Sequence, residues 1–440
     1  MNAIASDALQ SPDSSCKQSA SAVAPRPRTV AETGLSLSLL CDLVEKHLFE
    51  GGVLTLASLV RRCGLAGGLI EELLNFMRQE GRIEVRSRSA EEQGLRYGLT
   101  DRGRQSAMDS LAKSGYIGPA PVPLDQYLAV VASQTVRARK VTRPEIEELF
   151  SGVVVPPGML DRLGPSMNSG KAIFVYGHAG TGKTYLTQKL TGLMSDTVLV
   201  PHSISVGDTI IQVFDPSLHR PVAPVEPGLM LEDGHDPRYV ACCRPVVITG
   251  GELGPEMLEV QYDPATRQYR APLQLKATNG VFILDDLGRQ RVAPEVVLNR
   301  WIVPMEERKD YLSLATGQHF CVLFDVVLIF STNLDPLQLA DEAFLRRIGY
   351  KLRFDPLQPE QYQGIWEQVC AQYGVAYDPS LSDYLINEFH ARYQVPLLPC
   401  HPRDLIGIAL DRVTFLGEHL ALSKESLEWA WENYFVRLDG

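Results

Sequence analysis

One stretch of eight residues constrains this chain more than any other. It is "GHAGTGKT", Gly177–Thr184, which follows the apolar run "AIFVY" and precedes the helix-forming run "YLTQKLTGLM". Glycines let the backbone wrap around an anion, so that successive N–H groups point inward. The helix that follows adds the positive end of its dipole. The spacing G-x-x-x-x-G-K-[ST], between a strand and a helix, predicts a loop that binds nucleotide phosphates.

Two side chains of this loop have predicted roles beyond the backbone. Lys183 would reach the β- and γ-phosphates, and the Thr184 hydroxyl would be a ligand of Mg²⁺. The candidates for nucleotide binding in and beside the loop are Gly177, His178, Ala179, Gly180, Thr181, Gly182, Lys183, Thr184 and Tyr185. The predicted cofactors are therefore ATP and Mg²⁺.

A second motif is the apolar run "VFIL", which ends in two acids, Asp285 and Asp286. A fully apolar run is typical of a parallel strand that is buried on both faces. Ligands bind at the carboxyl ends of such strands. We therefore expect Asp285 to hold Mg²⁺ through water. Asp286, one residue further along, would polarise the attacking water.

Four polar residues later in the chain complete the predicted site. Asn333 follows the buried run "VVLIFST", where its amide could orient the attacking water. Arg346 and Arg347 lie at a predicted helix end, and Arg403 lies at the start of a later helix. For each arginine, a solvated or salt-bridged surface residue is the alternative.

Together these motifs resemble the AAA+ ATPases over roughly residues 145–435. Gly177–Thr184 is similar to Walker A, Val281–Asp286 to Walker B, Asn333 to sensor 1, Arg346 and Arg347 to the arginine-finger region, and Arg403 to sensor 2. The resemblance implies an α/β fold, with a P-loop parallel sheet flanked by helices and a C-terminal α-helical lid. It also implies a ring, often a hexamer, in which the finger acts on ATP held by the neighbouring subunit.

Asp286 departs from the Asp-Glu pair that most active members of this family carry. Its side chain is one methylene shorter, which places the carboxylate about 1.5 Å further from the attacking water, where geometry governs rate. The pair also resembles the motif of the replication-initiator and helicase-loader branch. Three functions stay open: a ring-forming motor that remodels a protein partner, a DNA-associated loader or regulator, and an ATP switch that hydrolyses slowly.

Composition and patterning divide the chain into five predicted segments. They are a disordered tail (1–34), a winged-helix-like domain (35–114), a linker (115–143), an AAA+ α/β nucleotide-binding domain (144–356) and an α-helical lid domain (357–440). The tail is rich in Ser, Ala and Pro, and the linker begins with a Pro-rich stretch. Within the α/β domain, hairpins are predicted around the turns "DPATR" and Thr316–Gly317.

Residues 35–113 resemble a winged helix, because three helical segments precede two short strand-like runs that flank a polar turn. Basic residues there are matched in number by acids. Glu71 and Glu72 fall early in the predicted recognition helix, where they would face DNA phosphates. Four arginines cluster on the wing: Arg82, Arg86, Arg88 and Arg96. We therefore expect a protein partner, with DNA contact through the wing as the alternative.

The overall composition is that of a cytosolic globular protein. The net charge of −11 argues against a general nucleic-acid coat. No run approaches the roughly 18 apolar residues of a membrane span, and the N-terminus lacks the apolar core of a signal peptide. The eight cysteines are scattered without metal-site spacing, so reduced thiols are expected. We predict a cytoplasmic protein that is not inserted in a membrane.

Overall fold

Strands and helices alternate through most of the chain. The structure, a computed structural model, describes residues 24–86, 95–222 and 235–435. Its strands are β1 (Leu54–Thr55), β2 (Ile83–Arg86), β3 (Arg96–Leu99), β4 (Val122–Pro123), β5 (Ile173–Gly177), β6 (Thr197–Pro201), β7 (Ser203–Val206), β8 (Thr209–Gln212), β9 (Tyr239–Cys243), β10 (Val246–Thr249), β11 (Gln261–Asp263), β12 (Gln268–Arg270), β13 (Val281–Leu284), β14 (Lys309–Ser313), β15 (His319–Leu323), β16 (Val327–Thr332) and β17 (Tyr350–Phe354). Its α-helices are α1 (Val30–Thr33), α2 (Leu37–Gly51), α3 (Leu56–Cys63), α4 (Gly67–Gln79), α5 (Asp101–Lys113), α6 (Leu124–Ser133), α7 (Arg143–Leu149), α8 (Met159–Asn168), α9 (Lys183–Leu190), α10 (Leu273–Lys276), α11 (Pro294–Asn299), α12 (Ile302–Glu307), α13 (Pro336–Leu339), α14 (Glu342–Leu345), α15 (Pro359–Tyr373), α16 (Pro379–Tyr384), α17 (Cys400–Leu416) and α18 (Lys424–Tyr434).

The central sheet has five strands in the order β10–β13–β16–β5–β17, and every neighbouring pair is parallel. Its three inner strands, β13, β16 and β5, are largely apolar because both of their faces are covered. Phe282 packs with Trp301 in the core on one face, whereas Ile283 packs with Leu186 in the core on the other. The predicted parallel α/β sheet with flanking helices is confirmed.

A helical region follows the sheet, from α15 to α18. Its own core contains Tyr362, Trp366, Leu405 and Trp431, all buried. The predicted C-terminal helical region is confirmed by these elements. Among the described residues, no helix combines the length and apolar character that crossing a membrane requires.

A second, mixed sheet has the order β11–β12–β8–β7–β4. Both predicted hairpins are confirmed. In the first, β11 pairs antiparallel with β12, and in the second, β14 pairs antiparallel with β15. The tip of the second hairpin approaches the β7–β8 turn, where a Cβ on Gly207 would lie 3.7 Å from the Gln318 amide nitrogen.

Two segment assignments from the sequence are wrong in part. Residues 24–34, assigned to a disordered tail, are folded: the carbonyl of Ala24 accepts a hydrogen bond from the Asp236 amide, and the carbonyl of Thr33 accepts one from Arg238. Residues 115–143, assigned to a linker, contain β4, which pairs with β7 in the second sheet, and α6, which packs in the core beside that sheet. Local composition misses both because the partners are distant in sequence. Residues 1–23 lie outside the described residues.

The N-terminal region contains helices α2 to α4, followed by the antiparallel strands β2 and β3. Strand β1 pairs with β3 and completes a three-stranded sheet. Glu71 and Glu72 are exposed on α4. The tip of the predicted wing, with Arg88, lies outside the described residues. The winged-helix assignment stays a prediction.

Candidate active site

The glycine-rich loop leaves the carboxyl end of β5 and enters α9 at Lys183. Gly177, Gly180 and Gly182 have φ angles of 140°, 81° and 81°, a region that favours glycine. A Cβ on Gly177 would lie 2.1 Å from the carbonyl oxygen of Phe354 on β17. The loop therefore requires glycine for its backbone conformation, and at Gly177 also for close approach to the neighbouring strand.

The Lys183 side chain is buried inside the loop. Its Nζ donates to the carbonyls of Gly177 at 2.9 Å and His178 at 2.7 Å, and to Asn333 Oδ1 at 2.6 Å. Burial lowers the pKa of Lys183, and the neighbouring carboxylates of Asp285 and Asp286 oppose this change. The ammonium group is thus held inside the loop by two backbone carbonyls and the Asn333 amide oxygen.

Thr184 and Asp285 meet at the same edge of the sheet, although they are far apart in sequence. Strand β16 lies between β5 and β13, and all three end at this edge. The Thr184 hydroxyl donates to Asp285 Oδ2 at 2.7 Å. Mg²⁺ binds oxygen ligands and is usually held by one or two protein groups beside nucleotide phosphates. The two oxygens fit this role.

Asp286 and Asn333 form the next part of the site. The Asn333 amide nitrogen donates to Asp286 Oδ1 at 3.1 Å, while its oxygen accepts from Lys183. Asp286 has a φ of 48°, in the left-handed region that aspartate tolerates better than most residues. Asn333 therefore joins the predicted phosphate-binding lysine to the acid that would hold the attacking water.

The remaining loop candidates differ in exposure. His178, Ala179 and Tyr185 are exposed, whereas Thr181 is buried and its hydroxyl donates to the His178 carbonyl at 2.8 Å. Tyr185 lies on the first turn of α9 with 56% of its surface accessible. Thr181 therefore shapes the loop from within, and the other three line its outer surface.

The helical region touches the loop at Gly180. A Cβ there would lie 2.7 Å from Cys400 Sγ and 3.3 Å from Leu398 Cδ1. Arg403 lies one turn further along α17, beside this contact, and its side chain is 68% exposed. Its Nε is 3.3 Å from Asp404 Oδ1. The structure brings the start of α17 to the loop, and the Arg403 guanidinium remains largely in solvent.

Arg346 and Arg347 lie near the amino ends of the strands, whereas the loop lies at their carboxyl ends. They follow α14, and the nearby Gly349 amide donates to the carbonyl of Ala172, just before β5 begins. Arg347 pairs with Glu306 and also donates to the Ala343 carbonyl. Arg346 is exposed. The two arginines are thus not brought together with the other predicted site residues.

These observations agree with the fold that the sequence motifs imply. The chain has a parallel α/β fold in which a glycine-rich loop joins β5 to α9. A model of a domain of unknown function, DUF8689, matches residues 358–433, within the helical region. A comparison with curated proteins finds no match.

Three solved structures resemble part of the chain. NtrX from Brucella abortus is 13% identical, with a TM-score of 0.41, and the match covers 68% of this chain and 60% of NtrX. The RuvB Holliday junction branch migration motor of Thermotoga maritima is 12% identical, with a TM-score of 0.35 and coverage of 68% and 72%. Domain III of the Thermotoga maritima replication initiation protein DnaA is 12% identical, with a TM-score of 0.37 and coverage of 67% and 98%. The chain thus spans less than two thirds of NtrX.

Sequence reasoning missed two contacts of the site. One is the approach of Cys400 to Gly180, because no local pattern indicates which residues of the helical region meet the loop. The other is Gln290, whose side chain bonds to the backbone around Asp286. A glutamine four residues after an acid is common in sequences and carries no signal by itself.

Proposed function

We propose that this protein binds ATP with Mg²⁺ at the carboxyl edge of the central sheet and hydrolyses it. One observation carries the proposal: Lys183, Thr184, Asp285, Asp286 and Asn333, which come from three different strand ends, form a continuous chain of hydrogen bonds and close contacts. A lysine, a magnesium ligand and an acid that can hold water are the parts that phosphoryl transfer requires.

Each side chain has a distinct task in this proposal. Lys183 would bind the β- and γ-phosphates, and Thr184 and Asp285 would hold the metal. When bound, Mg²⁺ would neutralise charge on the phosphate oxygens. Asp286 would accept a proton from the attacking water, and Asn333 would orient that water through its amide. Arg403 would contact the phosphates once its side chain turns toward the loop.

The test compares the parent protein with two variants. Lys183→Ala should lose ATP binding, measured by titration with a fluorescent ATP analogue. Asp286→Ala should retain binding but lose turnover, measured as phosphate release. Parent turnover no faster than that of Asp286→Ala would refute hydrolysis and leave an ATP switch. Undiminished ATP binding by Lys183→Ala would refute the site itself.

Ring assembly is part of the proposal, and the position of Arg346 supports it. A five-residue strand, β5, separates the edge near Arg346 from the edge that holds Lys183. Such a strand spans about 16 Å. An arginine at the far edge therefore does not serve its own site and is placed to serve that of a neighbouring copy. In the described part of the chain, Arg346 is exposed and has no acid partner, whereas Arg347 pairs with Glu306. This difference favours Arg346 as the arginine finger.

For the macromolecule that the ATPase acts on, we favour a protein partner. Arg82 pairs with Glu45, and Arg86 pairs with Glu84, so two of the predicted wing arginines face acids of their own domain. DNA binding draws on uncompensated positive charge. Duplex DNA should therefore not stimulate turnover at low salt. Stimulation that falls steeply as salt is raised would instead support the DNA-associated alternative.

A further inference from the structure

The side chain of Gln290 makes three contacts with backbone groups near the acid pair. Its Nε2 donates to the carbonyl of Gly250 at 3.1 Å and to the carbonyl of Asp286 at 3.3 Å. Its Oε1 accepts from the Gly288 amide at 2.8 Å. The side-chain amide of Gln290 thus links Asp286 and Gly288, in the turn after β13, to each other and to Gly250, just after β10.

This turn has a backbone that needs support. Asp286 and Gly288 have φ angles of 48° and 101°, and a Cβ on Gly288 would lie 2.8 Å from Leu334 Cδ1. A non-glycine residue in the left-handed region costs on the order of 1 kcal/mol, so surrounding contacts must hold it there. The three bonds of Gln290 act directly on this segment.

Gln290 also lies where the segment after β10 converges with the segment after β13. A Cβ on Gly251, after β10, would lie 3.3 Å from the Arg289 carbonyl. Beyond this point the two segments separate around a cavity of about 330 Å³, lined largely by apolar side chains such as Leu253 and Val296. Gln290 therefore joins the two segments at the end nearest the acid pair.

We propose that Gln290 is a positioning residue, which holds the Asp286 turn so that the Asp286 carboxylate keeps its place beside the Asn333 amide. The proposal rests on the ATPase function proposed above. It assigns Gln290 no contact with nucleotide. Its effect is on the geometry of the acid, and a misplacement of about 1 Å can cost on the order of 100-fold in rate.

The test uses Gln290→Met, which keeps the length of the side chain but removes its donor and acceptor, and Gln290→Asn, which stays polar but is too short to reach. For either variant, kcat should fall by roughly 10- to 100-fold. The Kd for ATP and the thermal midpoint should stay close to those of the parent. Gln105→Met, on the exposed face of α5, is the matched control and should leave kcat, the Kd for ATP and the thermal midpoint unchanged.

The outcomes separate this proposal from the one on which it rests. Parental kcat in a folded Gln290 variant, with an active parent, would overturn the positioning role alone. Loss of ATP binding in both variants, or failure of both to fold, would also overturn it, because the residue would then be structural. A parent that does not hydrolyse ATP would instead refute the proposed function.

Discussion

In the proposed ring, replacing Arg346 with alanine should stop ATP hydrolysis at the site of the neighbouring subunit while leaving ATP binding unchanged. Arg346 is exposed, and no side-chain partner for it occurs in residues 24–86, 95–222 and 235–435. Its removal should therefore change the free energy of unfolding by less than about 0.5 kcal/mol. An arginine that stabilises a transferring phosphoryl group contributes on the order of 10³-fold or more to kcat. A loss of that size, with normal folding and ATP affinity, is the expected result.

Arg347→Ala is the matched control, because the two residues are adjacent and carry the same charge. Arg347 pairs with Glu306, and the two side chains are 27% and 49% exposed. A pair this exposed contributes about 0–1 kcal/mol to stability. The Arg347 variant should be slightly less stable than the parent and should keep kcat within a few-fold. Equal losses of kcat in both variants would contradict the choice of Arg346.

A mixing assay tests whether Arg346 acts between subunits. Lys183→Ala subunits lack a working site but carry the arginine, and Arg346→Ala subunits have the reverse defect. If subunits mix at random and sites act independently, roughly a quarter of the interfaces combine an intact site with an intact arginine. Phosphate release by the mixture should then approach that fraction of parent activity. A mixture no more active than either variant alone would refute action in trans.

Two further predictions concern the acid turn and the buried histidines. Asp286→Glu should not raise kcat and should destabilise the fold by about 1 kcal/mol, since glutamate tolerates the left-handed region less well than aspartate. Faster turnover would show that side-chain length, not backbone geometry, limits the site. Burial lowers the pKa of His390 and His401 to about 4. Unfolded histidines bind a proton below about pH 6.5, so stability should fall as the pH is lowered from 6.5 toward 4. At about pH 5 the loss should be on the order of 1–2 kcal/mol per histidine in urea unfolding. Equal stability at about pH 7.5 and pH 5 would contradict this.

The glycine-rich loop could be predicted from contiguous residues because its backbone conformation is local. Gly177 and Lys183 are six positions apart, and the strand and helix that flank them are visible as an apolar run and a helical run. The acid strand could be predicted for a similar reason. Four apolar residues followed by Asp285 indicate a strand buried on both faces with a polar carboxyl end.

Contacts between distant segments could not be predicted in the same way. The hydrogen bonds that hold residues 24–34 come from Asp236 and Arg238, about 200 positions away. The choice between Arg346 and Arg347 depends on Glu306, which lies on a different helix. No periodicity or spacing in one sequence states which of two adjacent arginines will meet an acid.

The sequence by itself determined which groups stand at the sheet edge and predicted their chemistry: a glycine-rich loop proposed to bind phosphate, Thr184 and Asp285 proposed to hold Mg²⁺, and Asp286 proposed to hold water. Only the tertiary structure decided how those groups are held. It placed Asn333 between Lys183 and Asp286, put Arg346 beyond reach of its own site, and set Gln290 against the turn that carries the acid. The physical reason is that backbone conformation is largely local, whereas side-chain contacts across a sheet depend on strand order and register.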